Sequence, residues 1–327
     1  MSFIETQRHG NHNYYYLVKN VRIDATTVKK HRIFLGRDMP PPEELRRHLF
    51  ELEKKSIRRF KIIWLPKDMI EKLDDIRASL ITMHRKPIAA IPKDFLVRYT
   101  YNTNAIEGNR LTLRQTALVL SDRVSPAGAR TEDVIEVLNA ADAWNFVNKY
   151  AGQFNNRFLR KLQYEVTKNT SCRIQGDFRD GEVRIAGSYH IPPHASEVPH
   201  LLDLLAAEIV SSRKIRHPVE LAAYVHDRLV NIHPFTDGNG RTARLVMNWI
   251  LIKAKFPPVI VEETERHQYY NELEKGDTGN HKPFAMFLGN LLLGQYTMIV
   301  SWATGKNEGH GEKLKGPGIT PDSKVNA

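Results

Sequence analysis

The sequence predicts a mainly α-helical protein, and three observations carry that expectation. Apolar residues return at intervals of three and four through most of the chain beyond Pro42, as in Met69, Ile70, Leu73, Ile76, Leu80 and Met83. Strand-like patterning is confined to 12–37 and 176–193. Proline and glycine breaks separate the periodic runs, at Pro40 to Pro42, Pro87, Pro92, Gly108, Ser125 to Ala129 and Pro257-Pro258.

In chain order, Tyr14-Tyr15-Tyr16-Leu17-Val18 and Val28 to Leu35, ending at Gly36, read as two strands of a hairpin. That gives residues 1–40 as a small N-terminal β-hairpin module. Its tyrosines suit either packing on a neighbouring strand or a stacking platform for bases. Glu43 to Lys86 reads as two helices interrupted at Trp64-Leu65-Pro66, and a further helix starts between Pro92 and Phe95, runs towards Ile106 and stops at Gly108. Leu111 to Asp122, Thr131 to Tyr150 and Phe158 to Asn169 continue the helical series, the second opened by Thr131 with Glu132 and Asp133 behind it. Residues 176–193 break it as an extended hairpin. Val198 to Arg213, Pro218 to Ile232, a helix opening near Gly240, and Glu262 to Glu274 complete the core. Phe284 to Thr304 carries no charge, but Asn290, Gln295, Thr297 and Ser301 interrupt its apolarity, so it reads as a buried terminal helix and not a membrane span. The expected organisation is 1–40, a helical region 41–125, a helical core 126–303 and a disordered tail 304–327.

A chain of 327 residues buries a sizeable core without staples, and its single cysteine, Cys172, excludes an intrachain disulfide and fits a reducing compartment. The N-terminus lacks the apolar stretch of a signal peptide, which makes the cytoplasm the expected setting. The net charge of +11 is compatible with nucleic acid or another anionic partner and chooses neither. The basic residues between Arg46 and Lys61 alternate with glutamates, as on an exposed helix.

The informative stretch is His233-Pro234-Phe235-Thr236-Asp237-Gly238-Asn239-Gly240-Arg241-Thr242-Ala243-Arg244. Leu245, Val246, Trp249, Ile250 and Ile252 follow at helical spacing, which places Arg241 and Arg244 in the first turn of a helix. Cations there oppose the macrodipole, so two of them beside free N–H groups imply an anion. Gly238 and Gly240 let successive amides converge around Asn239. Asp237 is a hard oxygen ligand suited to magnesium held jointly with phosphates and water. His233 is the one group in the stretch whose ordinary pKa suits proton transfer near neutrality. No lysine of a P-loop is present. His217 and His226 match no familiar metal spacing with His233.

These residues resemble the Fic motif HPFx[DE]GNGRxxR at every specified position, and the resemblance extends over about 101–294. It implies a Fic-fold helical core that transfers AMP from ATP to a side-chain hydroxyl of a target protein. The resemblance assigns His233 as general base and Asp237 as the Mg2+ ligand. It places Asn239 with the Gly238 and Gly240 amides at the α-phosphate, and Arg241 and Arg244 at the β- and γ-phosphates. Thr103-Asn104-Ala105-Ile106-Glu107-Gly108 resembles the Fic inhibitory motif [ST]xxxE[GN], which implies that Glu107 pairs with Arg244 and blocks the γ-phosphate position. The 176–193 hairpin resembles the Fic flap, with Val183, Arg184 and Ile185 holding a target segment by strand addition. Tyr270 and Asn271 fall where Fic proteins wall the adenine. The partners implied are ATP and a protein substrate, with self-modification, homo-oligomerisation and nucleic-acid binding left open. Removal of AMP through the same site is the alternative within the enzyme class. A nucleic-acid-binding regulator whose Fic site only senses nucleotide is the alternative outside it.

Overall fold

The computed structural model describes residues 2–22, 28–56, 64–83, 93–185, 187–213 and 215–304. The expected turn at Asp24 to Thr27 and the expected disordered tail beyond Thr304 lie outside them.

The N-terminal element is larger than a hairpin. Strands β1 (Ser2–His9), β2 (His12–Arg22) and β3 (Val28–Gly36) form an antiparallel sheet in that order. β1 escapes the pattern because Phe3 and Ile4 are both half-exposed among polar residues, leaving no apolar face to read. The turn through Gly10 and Asn11 pairs His9 with His12. One sheet face is closed by helix α1 (Pro42–Ser56), where Leu17, Ile33 and Leu52 form a small core with Leu35, Leu45 and Leu49. On the other face the rings of Tyr14 and Tyr16 lie against Phe34, and Arg32 stands over Tyr16 at 4.4 Å.

The helices follow the periodicity closely. They are α2 (Lys67–Met83), α3 (Lys93–Ala105), α4 (Leu113–Ser121), α5 (Thr131–Lys149), α6 (Asn156–Thr167), α7 (Val198–Ser212), α8 (Pro218–Ile232), α9 (Asn239–Lys253), α10 (Arg266–Asp277) and α11 (Lys282–Thr304). Thr131 occupies the first helical position of α5 and makes no cap, since Arg130 is the N-cap residue and has no side-chain bond to the helix. Thr112 and Gln115, by contrast, form a reciprocal capping box at the start of α4. Among the described residues no helix is long and apolar enough to cross a membrane.

A single large core holds α9 at its centre. Leu245, Val246, Met247, Trp249 and Leu251 are buried against α8, α5 and α6, and the core extends to Phe284, Leu288 and Leu292 of α11. A helix buried on all sides leaves its polar first turn enclosed too, which is how Arg241 and Arg244 come to be buried. The start of α2 is tied to this core by Glu220 in the first turn of α8. Its carboxylate is 1% exposed and accepts the backbone N–H groups of Trp64 (2.6 Å) and Leu65 (2.8 Å). Glu220→Ala strands two amides, at a cost of about 2–4 kcal/mol. Thermal denaturation should show that loss, with a smaller one for Glu220→Gln, which retains an acceptor.

Candidate active site

The motif loop is built by left-handed backbone at two positions. α8 ends on His233 at φ 48°, and Gly238 at φ 79° caps the start of α9. A side chain at Gly238 would also strike Thr167 and Val166 of α6, so glycine is needed there for space as well as for conformation. Between these points the Asn239 side chain closes the loop on itself, accepting from Phe235 N and donating to Phe235 O, both at 2.9 Å. The amide side chain of Asn239 is therefore occupied in shaping the loop. What it leaves for an anion is backbone N–H at the helix start.

His233, Asn239, Gly240 and Arg244 line one cavity of about 700 Å3, together with Ile106 and Glu107, Arg184 and Ile185, and Tyr269 and Tyr270. Ligand pockets run from about 300 to 1,000 Å3, so a nucleotide-sized molecule fits. His233 is held well below its ordinary range, at about 4, chiefly by burial and by the nearby Arg179 cation, against the opposing pull of the Val230 carbonyl and Glu107. It is thus neutral at physiological pH.

Arg244 is 2% exposed, and all three of its guanidinium nitrogens donate. It donates to Thr103 Oγ1 (2.9 Å), Thr103 O (2.8 Å), Glu107 Oε1 (2.7 Å) and Tyr269 Oη (3.3 Å). The first and fifth residues of the TNAIE stretch therefore grip one guanidinium, because one helical turn places them on the same face of α3 and its end. Burial alone would raise the Glu107 carboxyl, but Arg244 and Arg241 outweigh it and hold the group below the usual carboxylate range. Gly240 makes the contact possible, since a methyl there would collide with the Glu107 carboxylate. Arg241 donates to Glu136 Oε1 at 2.8 Å and reaches Asp237 at 3.3 Å.

Asp237 is half-exposed, accepts Gly238 N and stands at the mouth of the loop. Among the described residues no group of three or more His, Cys, Asp or Glu could cage a metal. One accessible carboxylate beside the start of a helix fits magnesium, which keeps its waters and binds largely through the phosphates of a nucleotide.

The segment expected as a paired hairpin is not one. Among the described residues 176–193 forms no strand ladder. Arg179, 3% exposed, anchors it instead: its backbone N–H donates to Pro234 O (2.9 Å), and its guanidinium donates to His233 O (2.8 Å), Gly181 O (3.0 Å) and Pro193 O. Farther along, His190 Nε2 bonds Asn231 O at 2.8 Å. Arg184 and Ile185 reach the cavity wall, and Val183 does not. Of the adenine-side candidates, Tyr270 lines the cavity. Asn271 is exposed and faces a shallow depression on the far side of α10 with Gln268 and Glu272, because successive helical residues diverge by about 100°.

A model of the Fic/DOC family matches residues 153–251, from just before α6 through most of α9. The chain belongs to the Fic/DOC family. This Fic chain is 33% identical over 238 residues to "Protein adenylyltransferase Fic" of Nematostella vectensis, covering 70% of the chain and 55% of the relative. It is 31% identical over 233 residues to the protein of the same name from Aedes aegypti, covering 69% and 46%. The chain thus spans about half the length of these curated relatives. Among solved structures, Fic-1 (aa134 - 508) from C. elegans matches with a TM-score of 0.65 and 26% identity, over 74% of this chain and 73% of that one. A Fic domain containing signaling protein from Bacteroides thetaiotaomicron matches with a TM-score of 0.66 and 25% identity, over 74% and 100%. The Fic fold expected from the motif is therefore present.

Sequence reasoning missed three residues that shape the Fic site. Gln163 of α6, fully buried, donates to Asp237 O at 3.2 Å and accepts Gly176 N at 2.6 Å. Arg179 and Glu136 act through partners more than fifty and a hundred positions away. No local signal marks any of the three.

Proposed function

We propose that this chain is a protein adenylyltransferase that uses ATP and is restrained by its own Glu107. The observation that carries the reading is the convergence on one cavity of a neutral, half-buried histidine, the helix start at Asn239 and Gly240, and a buried arginine held by a carboxylate. The names of the relatives support the same activity.

In this reading the triphosphate lies along the start of α9 with its α-phosphorus facing His233. His233 takes the proton of a target hydroxyl, a bond forms from that oxygen to the α-phosphorus, the bond to the bridging oxygen breaks, and pyrophosphate leaves. The amides of the loop and the two arginines neutralise charge developing on the phosphate oxygens. Asp237 is the residue that would hold Mg2+, which supplies further neutralisation of the triphosphate when bound. The flap, through Arg184 and Ile185, borders the place where the target segment enters. A reducing, cytoplasmic setting suits the free thiol of Cys172.

Incubation with lysate and ATP labelled at the α-phosphate should label protein, and ATP labelled at the γ-phosphate should not. The reverse pattern would make the protein a kinase. AMP removal is a second reading, favoured by the ionised Glu107 at the cavity wall, where it could orient a water. Release of labelled AMP from premodified protein, faster than its transfer, would establish it.

The depressed His233 pKa gives a pH signature. The base is neutral above about pH 4, so the transfer rate should stay flat between about pH 5.5 and 8 and fall only at greater acidity. Glu107 stays ionised through the same window, so its block is not relieved there. An acid limb centred near 6.5 would mean a solvated histidine.

A further inference from the structure

We infer that Glu136 and Asn109 are positioning residues that moor the turn carrying Glu107 to Arg241, so that the site is held closed through both of its arginines. The inference rests on the inhibitory reading of Glu107 given above.

Glu136 of α5 has a side chain 17% exposed, and its two oxygens face in different directions. Oε1 accepts Nη1 of Arg241 at 2.8 Å, and Oε2 accepts Nδ2 of Asn109 at 2.8 Å. Asn109 is the second residue after Glu107, inside the turn that ends α3. Its side-chain amide also donates to Asp133 O at 3.0 Å, and its Oδ1 accepts Leu111 N at 3.1 Å. Asn104, on the same turn, donates to the Glu136 carbonyl at 3.3 Å. The turn is therefore docked on α5 by side-chain bonds, and the charge-assisted one is shared with Arg241.

Arg241 and Arg244 differ by three residues on α9, so one helix fixes the distance between the two grips. Glu107 takes Arg244 directly. Glu136 takes Arg241 and passes the hold to the turn through Asn109. A carboxylate fixed on a buried arginine is a rigid post; the turn is otherwise held by the buried Ile106 side chain and by backbone bonds, among them Glu107 N to Asn104 O, Gly108 N to Ala105 O and Asn109 N to Asn104 O, and none of these fixes the Glu107 side chain on Arg244. Loss of the Asn109 bond should let the turn open and carry Glu107 off Arg244 more often.

The test uses Asn109→Asp, which keeps the acceptor for Leu111 N and replaces the donor to Glu136 with a like charge. Asn109→Ala is its uncharged companion. In the parent protein, either should raise self-labelling from α-labelled ATP by about threefold to tenfold, the size of one charge-assisted bond partly lost. In a Glu107→Gly background neither should add a further gain or change the KM for ATP. Glu136→Gln in that background should raise the KM, because Arg241 loses the carboxylate that aligns it. Hydrogen exchange at the amides of Glu107, Gly108 and Asn109 should quicken in Asn109→Asp, a readout independent of transfer. The mooring is overturned if Glu107→Gly raises labelling while both Asn109 variants leave labelling and exchange unchanged. It is overturned equally if they lower labelling in both backgrounds, which would make Asn109 a residue of the fold alone. If Glu107→Gly itself has no effect, the inhibitory reading fails and this inference with it.

Discussion

Replacing Glu107 with glycine should raise adenylyl transfer by about 10- to 150-fold, the equilibrium worth of a charge-assisted pair of roughly 1.5–3 kcal/mol between blocked and open sites. The carboxylate lies on Arg244 at 2.7 Å and directly over Gly240, where a phosphate oxygen would otherwise meet the guanidinium and the helix start. ATP can still enter beside it, but with the γ-phosphate displaced and the α-phosphorus out of line with His233. The gain should therefore appear in rate more than in affinity. Arg244 keeps Thr103 and Tyr269 as partners after the substitution, so it stays placed for the triphosphate. Arg244→Ala should not imitate the gain, since it removes the block and the phosphate contact together. Initial rates of self-labelling and lysate labelling decide the matter. A Glu107→Gly protein no faster than the parent would leave water positioning in AMP removal as the better role for Glu107.

His233→Ala should lower transfer by a factor of about 100 to 10,000, the usual worth of a positioned general base, while ATP binding is retained. The two effects separate because the phosphate-facing groups belong to α9 and the base belongs to the end of α8. The left-handed backbone at 233 is accessible to alanine at a cost of about 1 kcal/mol, too little to unfold a core of this size. Calorimetry with ATP and a labelling time course on the same preparation check both halves. Undiminished labelling by the variant would remove His233 from the proton transfer.

The helical core was legible because its periodicity is local. Residues such as Leu73, Val137 and Leu245 repeat along one stretch of chain, and their burial needs no knowledge of what covers them. The motif loop was legible for the same reason, since its twelve residues are consecutive. The grip of Glu107 on Arg244 spans 137 positions and was reached only through a resemblance; nothing in composition or spacing pairs those two residues. Gln163, Glu136 and Arg179 stayed silent because each works by meeting a group from a distant element. β1 was overlooked because an edge strand with both apolar side chains half in solvent has no buried face to betray it. The 176–193 segment misled in the opposite way. Its glycines and alternating residues look like a hairpin, but its two arms are held by arginine and histidine side chains instead of by each other.

That last arrangement has a mechanical consequence. The segment from Arg179 to His190 is fastened like a cable to two posts, and both posts stand on the end of α8 and the loop that leaves it: Arg179 holds the carbonyls of His233 and Pro234, and His190 holds that of Asn231. A load applied to the middle of the cable, as by the target polypeptide of the proposed function, would be delivered to the backbone on either side of His233. On that proposal the peptide entering the site and the imidazole that would deprotonate it share one support, so a poorly seated target should pull the base out of alignment while a well seated one holds it true.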